Sequence, residues 1–177
     1  MGEIRGREPV KLIVGLIFKE DSVLKETLLL LKKKFGEIDF ECKTIPFKFT
    51  SYYEKEFGNG LSRKFISFSK LIKPQELSAI KIFTNKLEQK FAVNKARRIN
   101  IDPGYLNLAK LVLASTKDFS HRIYLNKGVF AELTLLFKDK TFKFQDWTYP
   151  DYRTSGYIEI FKQIRQIYAG QVESSHN

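Results

Sequence analysis

Lys11-Leu12-Ile13-Val14-Gly15-Leu16-Ile17-Phe18 decides how the rest of the chain is read. It is rich in β-branched and apolar residues, and it does not alternate with polar ones. A strand with one face in water alternates; a continuous apolar run of this length indicates a strand buried on both faces. Downstream, Asp21-Ser22 offers an N-cap, Leu24, Leu28, Leu31 and Phe35 recur at helical spacing, and Gly36 ends the helix. Phe40 to Phe49 reads as strand. Tyr52 to Gly60 reads as loop, broken by Gly58-Asn59-Gly60. Lys64 to Leu71 alternates, with Phe65, Ser67 and Ser69 on one side and Ile66, Phe68 and Lys70 on the other. Pro74 suits the first turn of a helix carrying Leu77, Ile80, Phe83, Leu87 and Phe91. Arg97 to Ile101 then forms a short strand that Asp102-Pro103-Gly104 ends.

These elements run β-α-β-β-α-β, the ferredoxin-like order. Leu106 to Ala114 is apolar nearly all round and predicts a buried helix. His121–Leu125, Val129–Phe137 and Thr141–Gln145 predict an antiparallel β-meander, and Thr154 or Ser155 caps a last helix bearing Tyr157, Ile160, Phe161, Ile164 and Tyr168. The expected class is therefore α+β: a ferredoxin-like front half extended by a helix, a meander and a C-terminal helix. Residues 1–170 read as one domain, and 171–177 as a polar, frayed tail.

The chain has 177 residues, enough for a core that buries about 70% of the unfolded surface without a metal or disulfide staple. Cys42 is the only cysteine, which excludes an internal disulfide and a Cys-rich zinc site and fits a reducing cytoplasm. The polar start predicts no signal peptide. The apolar run Leu12–Phe18 is far short of the ~20 residues of a membrane span. The net charge of +11 is uneven: residues 61–110 carry eleven basic and three acidic groups. Such an excess points either to an anionic partner or simply to solubility.

The strings Pro46-Phe47 with Thr50, Tyr52-Tyr53-Glu54 with Glu56-Phe57-Gly58, Asn100 to Leu106, Leu113 to Leu125, Ala131 to Leu135 and Trp147 to Tyr152 together resemble a bacterial family known only as domain of unknown function 4416. Phe57 departs from the Met expected there, a conservative apolar change. The resemblance implies no activity and brings no catalytic residue with it.

Candidate site residues therefore rest on chemistry alone. They concentrate between Asp102 and Arg153. If Asn126-Lys127-Gly128 is a three-residue hairpin loop, Leu125 faces Val129, Arg122 faces Glu132 and Tyr124 faces Phe130. Ala131, Leu133, Leu135 and Phe137 then define the core side, shared by His121, Ile123 and Leu125; Arg122, Glu132, Thr134 and Tyr124 lie opposite. A one-residue bulge reverses part of this assignment. Arg122 and Glu132 read either as a cross-strand ion pair or as an anion-binding arginine beside a base. His121, the only histidine outside the tail, reads as structural support or as an acid–base group. Asp102, with Tyr105 after it, reads as a helix cap or as a strand-end ligand site.

The candidates for acid–base work are Glu132, Asp102 and His121, and those for ligand binding are Arg122, Lys117, Arg98, Tyr105 and Asp151. The loop Trp147 to Arg153 suits stacking on a ring if exposed and closure of the core if buried. No phosphate-binding glycine loop, dinucleotide fingerprint, zinc motif or EF-hand loop is present. No metal and no cofactor is assigned; Asp102, Asp118, Glu132 and Asp151 would bind Mg²⁺ only by converging. The first functional reading is a small anionic or phosphorylated ligand. The alternatives are nucleic acid on the basic 61–110 segment, although no RNP-type aromatic motif is present, or a protein-interaction module without catalysis. No membrane partner is expected, and oligomeric state stays open.

Overall fold

The computed structural model describes residue 6, residues 8–48 and residues 59–175; residues 52–58 of the expected loop Tyr52–Gly60, and Phe49 at the end of the expected strand before it, lie outside them. Among the described residues nine strands form one antiparallel sheet. β1 (Lys11–Phe18) is buried at every position, and the reason is its place in the sheet. Strands β4 (Ser62–Phe68) and β5 (Ile99–Leu106) flank it, and β2 (Ile38–Glu41) and the two-residue β3 (Ile45–Pro46) pair with the far side of β4. β1 and β2 are thus parallel with β4 between them, the interleaving that two helical crossovers produce. Val10, Leu12, Val14, Leu16 and Phe18 meet the apolar stripes of α1 (Asp21–Phe35) and α2 (Leu77–Phe91). On the other face Ile13 meets Tyr157, Phe161 and Ile164 of α3 (Ser155–Ser175). The class is α+β, with helices on both faces of an antiparallel sheet.

Local signals held where they depend on local chemistry. Gly36 ends α1 at a φ of 96°, donating its N–H to the Lys32 carbonyl, and Lys32, Lys33 and Lys34 favour the negative end of the helix dipole. The start of α1 needs a correction. Glu20 is the N-cap residue and makes no side-chain cap bond, because its carboxylate is held by Arg98. β4 is also corrected: instead of one polar and one apolar side, it is buried from Arg63 to Phe68, since it too lies between helix layers.

The larger corrections come after residue 100. Asp102-Pro103-Gly104 does not end a strand. β5 continues through it because Asp102, Pro103 and Gly104 pair with Gly15, Val14 and Ile13 of β1. Leu106 to Ala114 is not a helix. It turns at Asn107, whose Oδ1 accepts the N–H groups of Ala109 and Lys110 at 2.9 Å each, and becomes β6 (Lys110–Ser115). An apolar run of this length cannot be told from a helix by periodicity, and here both faces of the strand are covered. β6 pairs with β5 only from Gly104 onward. Pro103 has no N–H to offer, and at Gly104 the strands approach so closely that a Cβ would lie 2.5 Å from the Val112 carbonyl oxygen. Beyond that pinch the two strands part.

The meander forms as β7 (Arg122–Asn126), β8 (Val129–Lys138) and β9 (Thr141–Phe144). Arg122 faces Glu132 and Tyr124 faces Phe130, as expected, but Asn126 rather than Leu125 faces Val129. The turn is two residues, Lys127 and Gly128, both at positive φ. Against β6, Leu111 pairs with Leu135 and Val112 with Leu133, so Thr134 is a bulge. The bulge reverses the expected sides: Leu135 packs against α3, whereas Leu133, Ala131 and Val129 pack against the α2 face. Glu132 and Thr134 are therefore buried, while Ile123 and Leu125, expected on the core side, are exposed. The polar tail is corrected as well. Helix α3 runs to Ser175, and Gln171 bonds Lys11 and the Ser69 carbonyl.

Candidate functional site

Where β5 and β6 part, a cleft of about 640 Å³ opens. One wall comes from β4, α2 and β5 and the other from the end of β6, the following loop, β7, β8 and the turn Pro150–Arg153. Asp102, Lys117, Arg122, Glu132 and Asp151 all line it. His121 adjoins it, with Nε2 3.2 Å from the Glu132 carboxylate. His121 was expected opposite Glu132; it precedes β7 and so escapes that strand's alternation. Its ring stacks on Trp147 at 5.3 Å and on Phe119 at 5.9 Å. Two candidates lie elsewhere. Arg98 pairs with Glu20, and Tyr105 packs into the core, where burial pushes its phenol up. Asp102 caps no helix.

Arg122 is a strut. Its Nε donates to Glu132 at 2.8 Å, NH1 to Ser115 Oγ at 3.1 Å and the Lys117 carbonyl at 2.9 Å, and NH2 to Tyr149 at 2.9 Å while contacting Glu132. A guanidinium has five N–H donors, and these bonds use them. Phe119 covers its face at 4.9 Å. Of the two expected readings of Arg122, its contacts match the cross-strand ion pair with Glu132: among the described residues its donors are engaged, and it braces the outer wall of the cleft.

The inner wall centres on Arg63, which the sequence reading did not single out. Its side chain is 2% exposed, and it lies across Gly15, where a Cβ would come within 3.1 Å of NH2. Rings of Phe65 and Tyr152 pack on it at 4.7 and 5.2 Å, and NH2 donates to the Tyr152 hydroxyl at 2.6 Å. Asp102 and Asp151 are 3.7 and 3.9 Å away, beyond hydrogen-bond reach, and among the described residues Nε has no partner. Burial pulls the guanidinium down, but Tyr152, Asp151 and Asp102 together push it up, so it stays charged. Burial raises Asp151 and outweighs Arg63, a result consistent with that long separation. Burial also holds Tyr152 far above the usual phenol range, so its hydroxyl is neutral.

The same wall continues as alternating charges. Lys81 Nζ bonds the Ile101 carbonyl at 3.1 Å and lies 3.5 Å from Asp102. Asn100 donates to Asp102 at 2.6 Å and accepts from Arg97 at 3.0 Å; Arg97 also donates to Glu88 at 3.1 Å. Burial raises Glu88 even with Lys81 and Arg97 nearby. The loop from Trp147 is divided between the two expected roles: Thr148, Asp151 and Tyr152 are buried, Trp147 and Tyr149 exposed. Among the described residues no three His, Cys, Asp or Glu side chains cluster as a metal site.

The family model described as Domain of unknown function (DUF4416) matches residues 8–168, and the chain belongs to that family. No curated protein and no solved structure matches it.

Proposed function

From a family of unknown function, and so on geometry alone, we propose that the chain binds a small anionic ligand, such as a phosphorylated metabolite, in the cleft between β5 and β6. The observation that carries this reading is Arg63: a fully buried guanidinium at the cleft floor whose Nε is unpartnered among the described residues. Buried donors are almost always bonded, and the exceptions call for an explanation such as an absent partner. Lys81, Asp102 and Asp151 beside it, with Lys117 at the rim, supply further polar contacts, and Asp102, Glu132 and His121 are the groups available for proton transfer. The single, buried Cys42 fits a cytoplasmic setting; among the described residues no helix is long and apolar enough to cross a membrane.

The nucleic-acid alternative draws less support. Arg63, Lys64, Lys81, Lys90, Arg97 and Arg98, all in the basic segment, make ion pairs with carboxylates of other elements or of their own wall. That leaves a smaller free basic face than the charge count implies. The exposed side chains of Ile123, Tyr124 and Leu125 on edge strand β7 favour an interaction module as the second reading.

Thermal unfolding in the presence of citrate, ribose 5-phosphate and nucleoside 5′-monophosphates tests the ligand reading, because a ligand that binds only the folded state raises Tm. At least one of these is expected to raise Tm for the natural chain and not for Arg63→Met. No shift with any of them counts against a ligand site; a mass near twice the monomer in sedimentation would then favour the interaction module.

A further inference from the structure

Building on the ligand-binding reading above, we infer that the inner end of the cleft holds the uncharged edge of a nitrogen heterocycle of the nucleobase kind, with the ligand's anionic group outward toward Lys117. The ligand class is a nucleotide. The reason is the balance of charge around Arg63. Asp102 and Asp151 lie 3.7 and 3.9 Å from its terminal nitrogens, and Lys81 lies 3.5 Å from Asp102. Two cations face two carboxylates, so an anion pressed against Arg63 would meet two like charges at close range. A neutral acceptor, a ring carbonyl or ring nitrogen, meets no such opposition.

The geometry adds direction. Phe65 and Tyr152 cover the guanidinium faces, which leaves its in-plane edge, Nε and NH1, for a partner lying in that plane. Asp102 sits beside that edge. Its Oδ2 accepts from Asn100 at 2.6 Å, and among the described residues Oδ1 has only the Lys81 ammonium at 3.5 Å, so acceptor capacity remains, since a carboxylate offers about four lone-pair sites. Donor and acceptor side by side match the edge of a base, which presents an acceptor next to an N–H; arginine and acidic side chains pair with such edges for this reason. Ile17, Phe47, Leu113 and Ala114 contribute apolar wall that a ring can cover and a bare phosphate cannot. The anionic group then lies at the outer end of the cleft, which Lys117 and Ser115 line. A cleft of about 640 Å³ is large enough for base, sugar and phosphate.

Isothermal titration of the natural chain and of Asp102→Asn with guanosine 5′-monophosphate, adenosine 5′-monophosphate, ribose 5-phosphate and citrate tests the inference. At least one nucleotide is expected to bind the natural chain about tenfold or more tighter than ribose 5-phosphate, the order of discrimination a paired base edge gives. Asp102→Asn is expected to weaken that nucleotide by a similar factor and to leave ribose 5-phosphate unchanged or tighter. Ribose 5-phosphate binding as tightly as the nucleotides would place the anion at Arg63 and overturn the inference, leaving the ligand reading intact; so would Asp102→Asn tightening a nucleotide. Binding of citrate alone would do the same. Silence from every probe would remove both. The ranking on the natural chain requires no variant, so it stands even if Asp102→Asn fails to fold.

Discussion

Two arginines of the cleft are almost equally buried, with side chains 2% and 3% exposed, yet their bonding is opposite. Arg122 spends its donors on β8, β6, the following loop and Tyr149, and so joins elements that would otherwise part. Arg63 makes one short hydrogen bond and keeps its edge open between two carboxylates at ion-pair distance. Burial alone therefore does not mark a binding residue. The useful sign is burial with unmet donors, because a buried polar group lacking a partner costs about 1–3 kcal/mol unless something completes it.

The contrast can be broken first at Arg122. Arg122→Met strands Glu132, which is 1% exposed, and loss of one partner of a buried pair costs about 3–5 kcal/mol. Urea denaturation should register that loss, and Glu132→Gln made with it should recover part of it. Arg63→Met is expected to cost less, about 1–3 kcal/mol, since the raised Asp151 accepts a proton readily once its cation is gone. Its principal effect should be on binding. Equal stability losses for the two variants would erase the distinction between strut and binding group.

The smallest effect should appear in pH dependence. Burial raises Asp151 in the folded state, so the folded chain holds this proton more tightly than the unfolded chain. Its contribution to stability is full below the unfolded value near 3.8 and falls as pH rises through the raised one. Asp151→Asn should remove that part of the decline, leaving the variant's stability flatter above pH ~4. An unchanged slope would show that Asp151 does not carry it.

Much of this was legible where the signal was local. The strands of the meander, the end of α1 at Gly36 and the facing of Arg122 and Glu132 each follow from a few neighbouring residues. The site was legible only in part. Asp102, Lys117, Arg122, Glu132 and Asp151 could be named from residue type and density, but their roles could not. Arg63 lay one residue before the segment read as an alternating strand, and nothing near it in sequence distinguished it from other basic residues. A signal was nonetheless present: two adjacent basic residues, Arg63 and Lys64, lead into the apolar part of β4, and the neighbouring strand β1 carries a glycine near its centre.

The sequence by itself pointed to Lys11–Phe18 as a strand covered on both faces, because its apolar run Leu12–Phe18 is short, does not alternate and is rich in the β-branched Ile13, Val14 and Ile17. It also determined most of the order of elements, since helix and strand periods and turn chemistry act over a few residues. Tertiary structure alone decided that Lys110–Ser115 is a strand, that a bulge at Thr134 turns Glu132 inward, and that Arg63 sits under Tyr152, 89 residues away. Each of these depends on which distant surfaces pack together, and pairing between remote segments leaves no period in the chain.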